Sequence, residues 1–379
     1  MSTESKKLPM AGDLHETECC TVKEVAAAYA DPGDANWIKG ELESAIGPVH
    51  RIATTLDRQD LTGSVKARWG VGRMNYSVAP GLYAVGNPNH LSAVLVSANY
   101  KLSFDYLRRE LDGLDLWILV LDTQGINVWC AAGKGSFGTA ELIRMVHQSR
   151  LGELISHRTL VLPQLAAPGV SAHQVRKEIG YKVVYGPVRA ADIPAFLNTG
   201  NKADRTMRHP SFNLFDRLTL TPIELAALFK PVLLLTVFLF LLNLLSQLLS
   251  GGNFIPTLLL EQTFSDLAPF IISALIGTIL VPALLPYIPG RALAWKGWVL
   301  GIAWALIYTT IIAAPAGWLQ TTAYFLTLPV IPAFLGMNYT GSTTYTSLSG
   351  VVKEMNYALP LIIISASLGL TALIGAYFI

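Results

Sequence analysis

Leu116-Trp117-Ile118-Leu119-Val120-Leu121, followed by Asp122-Thr123-Gln124-Gly125 and then by Asn127-Val128-Trp129-Cys130-Ala131-Ala132-Gly133-Lys134, is the stretch that decides the fold. A continuous apolar run closed by an aspartate reads as a parallel strand covered on both faces. Asn127 is a good N-cap, so a short helix starts at Val128 and carries Cys130 in its first turn. An acidic side chain there faces unpaired backbone N–H groups and the positive end of the helix dipole, which favours its anionic form. Ala131, Ala132, Gly133 and Gly135 are small enough for a large flat ligand to approach the backbone.

Outward from this stretch the pattern is regular. Ala93–Val96, Leu160–Leu162 and Lys182–Tyr185 read as further strands. Leu102–Leu111, Thr139–Arg150, Ala172–Ile179 and Ala191–Leu197 read as helices between and after them. Alternating strands and helices imply an α/β doubly wound, Rossmann-like sheet, which takes ligands at the carboxyl ends of its strands. Those ends carry Ser97-Ala98-Asn99, Asp122-Thr123-Gln124-Gly125, Pro163-Gln164-Leu165 and Gly186-Pro187. They offer hydroxyls and amides with little charge, an edge suited to a large neutral ligand fringed with amides rather than to phosphates. Ordinary turn chemistry accounts for each loop taken singly.

Several chemistries compete for Cys130. The plainest is an inert buried cysteine in a structural turn. A phosphate-binding loop is excluded, because Gly133-Lys134 is followed by Gly135 and the glycine that motif needs is replaced by Val128. A thioredoxin-type site lacks its second cysteine, and a zinc site lacks Cys or His partners at ligand spacing.

Of the 379 residues 52% are hydrophobic and 14% charged, too apolar a balance for an ordinary soluble protein. A net charge of +2 argues against nucleic acid as a partner. Residues 1–30 read as a polar, disordered tail without an apolar targeting region. Cys19-Cys20 follows in that tail; adjacent cysteines bridge only under strain, so the alternatives are a soft-metal-handling thiol pair and two incidental thiols. Residues 31–204 form the α/β domain, within which Asp31–Gly81 has no clean period, and Trp69–Tyr76 and Pro80–Pro88 read as loops at a sheet edge. Residues 205–227 read as a basic linker.

Residues 228–379 read as an all-α transmembrane domain with five spans, at Leu228–Leu249, Leu267–Ile288, Trp295–Ala314, Trp318–Gly336 and Ala358–Phe378. Each is near the roughly 20 residues a bilayer core requires. After Lys230 the acidic and basic residues are Glu261, Asp266, Arg291, Lys296, Lys353 and Glu354. Every Lys and Arg flanking the spans falls on the side of the N-terminal domain, which places that domain in the cytoplasm and the C-terminus outside a multi-pass cytoplasmic membrane protein. The hydroxyl-rich segment Asn338–Gly350 falls on the same side, where packing against the α/β domain and an ordinary polar surface loop are the two readings. With neither cysteine nor acid placed inside a span, the membrane domain reads as an anchor rather than a channel.

The octapeptide Asn127–Lys134, continued through Gly135-Ser136-Phe137-Gly138-Thr139, resembles the cap helix of membrane-bound corrinoid proteins that methylate mercury. Val96–Asp105, Leu162-Pro163-Gln164-Leu165 and Tyr185-Gly186-Pro187-Val188 resemble the large subunit of corrinoid iron–sulfur proteins. The resemblance implies a corrinoid whose cobalt has Cys130 as its lower ligand, and transfer of the cobalt-bound methyl group to Hg(II). It implies a cofactor contact surface made of Asn99, Thr123, Gly125, Asn127, Val128, Trp129, Cys130, Ala131, Ala132, Gly133, Lys134, Gln164, Leu165, Gly186 and Pro187. The histidine ligation used by many methyl-carrying corrinoid proteins is poorly matched, since Asp13-Leu14-His15-Glu16-Thr17-Glu18 lacks the motif's glycine. A thiolate opposite the methyl group donates strongly to the metal, which favours carbanion-type transfer to an electrophile. Three cysteines cannot supply the four thiolates of an iron–sulfur cluster, so the resemblance implies a ferredoxin-like iron–sulfur partner as electron donor, together with a methyl-donating enzyme. The alternatives are a membrane-tethered methyl carrier with another acceptor and a non-catalytic cobalamin receptor.

Overall fold

The computed structural model describes residues 35–250, 254–312, 317–339 and 348–378. Cys19, Cys20, the 1–30 tail and most of Asn338–Gly350 lie outside the described residues. Seven strands form one sheet: β1 (Ile38–Ser44), β2 (Gly47–Ile52), β3 (Gly81–Val85), β4 (Val94–Ala98), β5 (Leu116–Leu121), β6 (Thr159–Leu162) and β7 (Lys182–Tyr185). Their order is β1-β2-β3-β5-β4-β6-β7. β5, β4, β6 and β7 are mutually parallel, as the apolar runs predict. The sheet is nevertheless mixed, because β3 runs antiparallel to β5 and β1–β2 is an antiparallel hairpin. The expectation that Pro80–Pro88 is only loop is therefore corrected: Pro80-Gly81 and Gly86-Asn87-Pro88 punctuate a real strand.

Between the strands run α1 (Arg58–Arg68), α2 (Lys101–Arg109), α3 (Val128–Lys134), α4 (Thr139–Gln148), α5 (Leu151–Leu154), α6 (Ala172–Ile179) and α7 (Ile193–Asn198). All six side chains of β5 are buried, and each contributes about 1.5–3 kcal/mol by leaving water. Alternation sends Trp117, Leu119 and Leu121 to one face, against Leu142, Met145 and Val146 of α4 and Val175 of α6. Ile118 and Val120 go to the other, against Phe104 and Leu107 of α2 and Phe196 of α7. The β4–β5 connection thus lies on one face and the β6–β7 connection on the other. The strand order reverses between β4 and β6, the position beyond whose carboxyl ends doubly wound sheets take their ligands.

The region read as a linker is more ordered than expected. It holds α8 (Leu214–Leu218) and α9 (Thr221–Ala227), and Arg217 is buried, donating to the carbonyls of Pro282 (3.1 Å) and Ala283 (3.0 Å). Then come α10 (Phe229–Leu249), α11 (Pro256–Leu275), a π-helical turn at Ile276–Leu280, α12 (Val281–Leu284), α13 (Leu293–Ile307), a second π turn at Tyr308–Ile312, α14 (Trp318–Thr327), α15 (Val330–Asn338) and α16 (Leu348–Ala376). They include five helical stretches long and apolar enough to cross a membrane: 229–249, 256–284, 293–312, 318–338 and 352–376. Carbonyls in the bundle find side-chain donors, among them that of Thr278, which Pro282 leaves without an N–H four residues on. Tyr339 Oη reaches Thr278 O at 3.0 Å and Trp304 Nε1 reaches Pro269 O at 2.9 Å. The second stretch starts at Pro256, not at Leu267, so Glu261 and Asp266 lie inside a helix rather than in a connection. The expectation that no acidic residue sits within a span is corrected accordingly.

Candidate cofactor site at the carboxyl edge

α3 sits against β4 and the turn Gln164–Ala166, at the switch-point end of the sheet. Its start is fixed as the sequence predicts: the Asn127 side chain accepts the Cys130 N–H at 2.9 Å. One side of the helix is core, where Ala131 and Ala132 are buried and Val128 packs beside them. The other side carries Trp129 (39% exposed), Cys130, Gly133 and Lys134. Cys130 is a free, exposed thiol, so the inert-buried reading fails. A Cβ built on Gly133 meets nothing within 4 Å, which leaves the backbone beside the thiol open.

The loop feeding α3 is tied down by one side chain. Asn99, fully buried at the end of β4, accepts through Oδ1 from Thr123 N (3.1 Å), Thr123 Oγ1 (2.8 Å) and Gly125 N (2.9 Å). Gln124 and Gly125 both adopt left-handed backbone, with φ of 58° and 70°. Asp122 Oδ1 accepts Gln124 N at 3.0 Å, and Glu141 Oε1 accepts Asp122 N at 2.9 Å. Glu141 is a positioning residue that sequence reading missed, since it acts across 19 positions. A Cβ on Gly125 would touch Met74 O and Ser77 Cβ, both at 3.5 Å, so the turn sits directly on that segment.

At the carboxyl ends of β6 and β7, Gly186 N donates to Leu162 O at 2.8 Å and Gln164 N to Pro187 O at 3.4 Å. Gly186 and Pro187 are buried, and Leu165 is half-buried. The structure therefore joins Asn99, Thr123 and Gly125 into one hydrogen-bonded loop that leads to the Asn127 cap, and brings Gln164, Gly186 and Pro187 together in a second. Thr123, Ala131 and Ala132 serve the interior, so their side chains support the edge rather than face across it.

Two buried polar atoms at this edge have no hydrogen-bond partner: Ser136 Oγ and Gln164 Oε1. Buried polar atoms are nearly always paired, so such atoms beside an open face mark where a ligand's polar groups belong. The residues present fit a corrinoid on three counts: a soft donor atom facing outward, an open glycine, Gly133, beside it, and unpaired hydroxyl and amide groups for an amide fringe.

A family described as the CO dehydrogenase/acetyl-CoA synthase delta subunit matches residues 69–197. The gamma subunit of the acetyl-CoA decarbonylase/synthase complex of Archaeoglobus fulgidus is 28% identical over 151 residues, 38% of this chain and 32% of that protein. The corresponding subunit of Methanopyrus kandleri is 31% identical over 122 residues, 32% of this chain and 26% of its own. That of Methanosarcina acetivorans is 31% identical over 130 residues, 33% and 27% respectively. The chain thus spans about a third or less of the length of these curated relatives. The matched region runs from the end of α1 through β3–β7 and includes the Cys130 helix. These similarities support the corrinoid-protein relation that Val96–Asp105 suggested.

Proposed function

We propose that the α/β domain holds a corrinoid over α3 with the Cys130 sulfur as lower ligand of its cobalt, and that the protein is a methyltransferase whose acceptor is inorganic Hg(II). The observation that carries this reading is the exposed thiol on a capped helix at the switch point, flanked by unpaired buried polar atoms. When bound, a corrinoid supplies a cobalt centre able to take up and release a methyl group. The chain's own groups do the rest. Asn127 fixes the first turn of α3, and Ala131 and Ala132 lock the helix into the core, so the sulfur keeps one orientation. Asn99 holds the preceding loop rigid. Gly133 leaves room beside the sulfur, while Ser136 and Gln164 offer hydrogen bonds to amide groups of the cofactor rim.

Mercury as acceptor rests on the resemblance of Asn127–Lys134; the similarity to acetyl-CoA synthase complexes supports the corrinoid part alone. That similarity also favours a second reading, a tethered methyl carrier with another acceptor. In either case a ferredoxin-like iron–sulfur protein supplies electrons and a separate enzyme supplies methyl groups. Residues 31–204 are the cofactor domain, on the cytoplasmic side of the inner membrane by the placement of Arg217, Lys230, Arg291, Lys296 and Lys353. For the adjacent Cys19 and Cys20, which lie outside the described residues, Hg(II) handling and two incidental thiols stand as the alternatives. The test is methyl transfer from the methyl-loaded full chain to Hg(II) and to alternative acceptors. Methylmercury formed by the natural protein and abolished in Cys130→Ala supports the proposal. Transfer only to another acceptor selects the second reading, and full activity of the variant rejects both.

A further inference from the structure

The other end of the membrane bundle holds a polar cavity of about 400 Å³ between α10, α11, α14 and α16. The chain enters α10 from the α/β domain and reaches this cavity near the helix's far end, so the cavity opens away from that domain. Its acid is Asp266, eleven residues into α11 and therefore about 15 Å from the start of that helix. Asp266 Oδ2 accepts from Tyr377 Oη at 2.5 Å and from Asn243 Nδ2 at 2.9 Å. Gln247 donates to Gln262 Oε1 at 3.3 Å, while its own Oε1 is buried without a partner among the described residues. Ser246 and Gln320 complete the polar lining. No Lys or Arg is among the lining residues.

A carboxylate at this depth without a positive partner is costly, and intramembrane acids ordinarily pair with a cation or line an ion path. The donors are carboxylate, amide and hydroxyl oxygens, a hard set with neither thiolate nor imidazole, which disfavours soft metals such as mercury. One carboxylate balances one positive charge; a divalent ion would leave an excess charge in a low-dielectric site. The volume exceeds that of a bare ion by several waters at about 30 Å³ each. We infer that this cavity binds a partly hydrated, hard monovalent cation of the sodium type, with Asp266 as its counter-charge and Gln247 Oε1 as a neutral ligand. The site is independent of the cofactor domain and of Cys130.

The experiment is thermal unfolding of the full chain in lipid nanodiscs, titrated with sodium chloride against choline chloride at constant ionic strength. A ligand that binds only the folded state raises the midpoint in proportion to the logarithm of its concentration. The expected result is a sodium-dependent rise that choline does not produce, with loss of the rise in Asp266→Asn and, in Gln247→Leu, a roughly tenfold higher sodium concentration needed for the same shift, the effect of losing one neutral ligand. If Asp266→Asn does not assemble, Gln247→Leu decides alone. Equal responses to sodium and choline, a natural-protein response retained by Asp266→Asn, or an unchanged sodium requirement in Gln247→Leu overturns the inference.

Discussion

Two polar clusters lie within the α/β domain, and they differ in whether their members satisfy one another. Under α1 and α2 is a closed knot of buried charges. Lys101 Nζ bonds Asp60 (2.7 Å) and Asp105 (2.6 Å), and Arg108 bonds Asp60 (2.5 Å), Asp105 (2.8 Å) and the carbonyls of Ala53 and Thr55. Burial would raise the Asp60 carboxyl, but Lys101 and Arg108 outweigh it and hold it at about 2. Nothing in this knot is left over for a ligand. At the carboxyl edge the reverse holds: Cys130 is exposed, and Ser136 Oγ and Gln164 Oε1 are buried without partners. Charge alone therefore does not mark a site here; unmet bonding capacity does.

The sharpest way to break the contrast is a pair of variants. Cys130→Ala is expected to abolish methyl transfer while moving stability by about 0.5 kcal/mol or less, as exposed positions do. Arg108→Met is expected to cost about 3–5 kcal/mol in denaturant unfolding, because it leaves buried carboxylates without one of their two cationic partners, and to leave transfer per folded molecule unchanged. If Arg108→Met proves neutral, or if Cys130→Ala unfolds the domain, the two clusters have been assigned the wrong way round.

Intermediate in effect is Asn99→Ala, which strips one acceptor from three donors of the Cys130 loop. A loss of about 1–3 kcal/mol is expected, read by urea unfolding, together with weaker retention of corrinoid on gel filtration. Retention equal to that of the natural protein would show that the loop does not position the site. The smallest effect concerns pH. Asp60 has a folded-state value of about 2, below its ordinary 3.8, so its contribution is whole above about pH 4 and is lost as pH falls towards 2. Acid titration of unfolding should show this slope flattened in Arg108→Met; identical slopes would locate the acid sensitivity elsewhere.

Strands β4–β7 and helices α2, α4, α6 and α7 are legible in the sequence because buried strands write continuous apolar runs and the helices between them write one apolar face. The hairpin β1–β2 and helix α1 are not, since Glu41, Glu43, Gln59 and Lys66 keep their surfaces polar and break the periodicity. β3 hides among Gly and Pro. The N-cap of α3 and the small residues around Cys130 were readable residue by residue. The partnership of Asp60 with Lys101, 41 positions away, and of Asn99 with Gly125 exists only once the chain is folded. Asp266 was set outside its span because hydropathy averages place a helix end at the nearest charge, whereas Pro256 at the first turn and the bonds from Asn243 and Tyr377 keep it inside.

The central claim is a sulfur–cobalt bond, and cobalt X-ray absorption on the full chain reconstituted with corrinoid tests it most directly. The account predicts one sulfur neighbour of cobalt in the natural protein and none in Cys130→Ala. A first shell of nitrogen and oxygen alone in the natural protein, or a sulfur neighbour that survives the substitution, would contradict it.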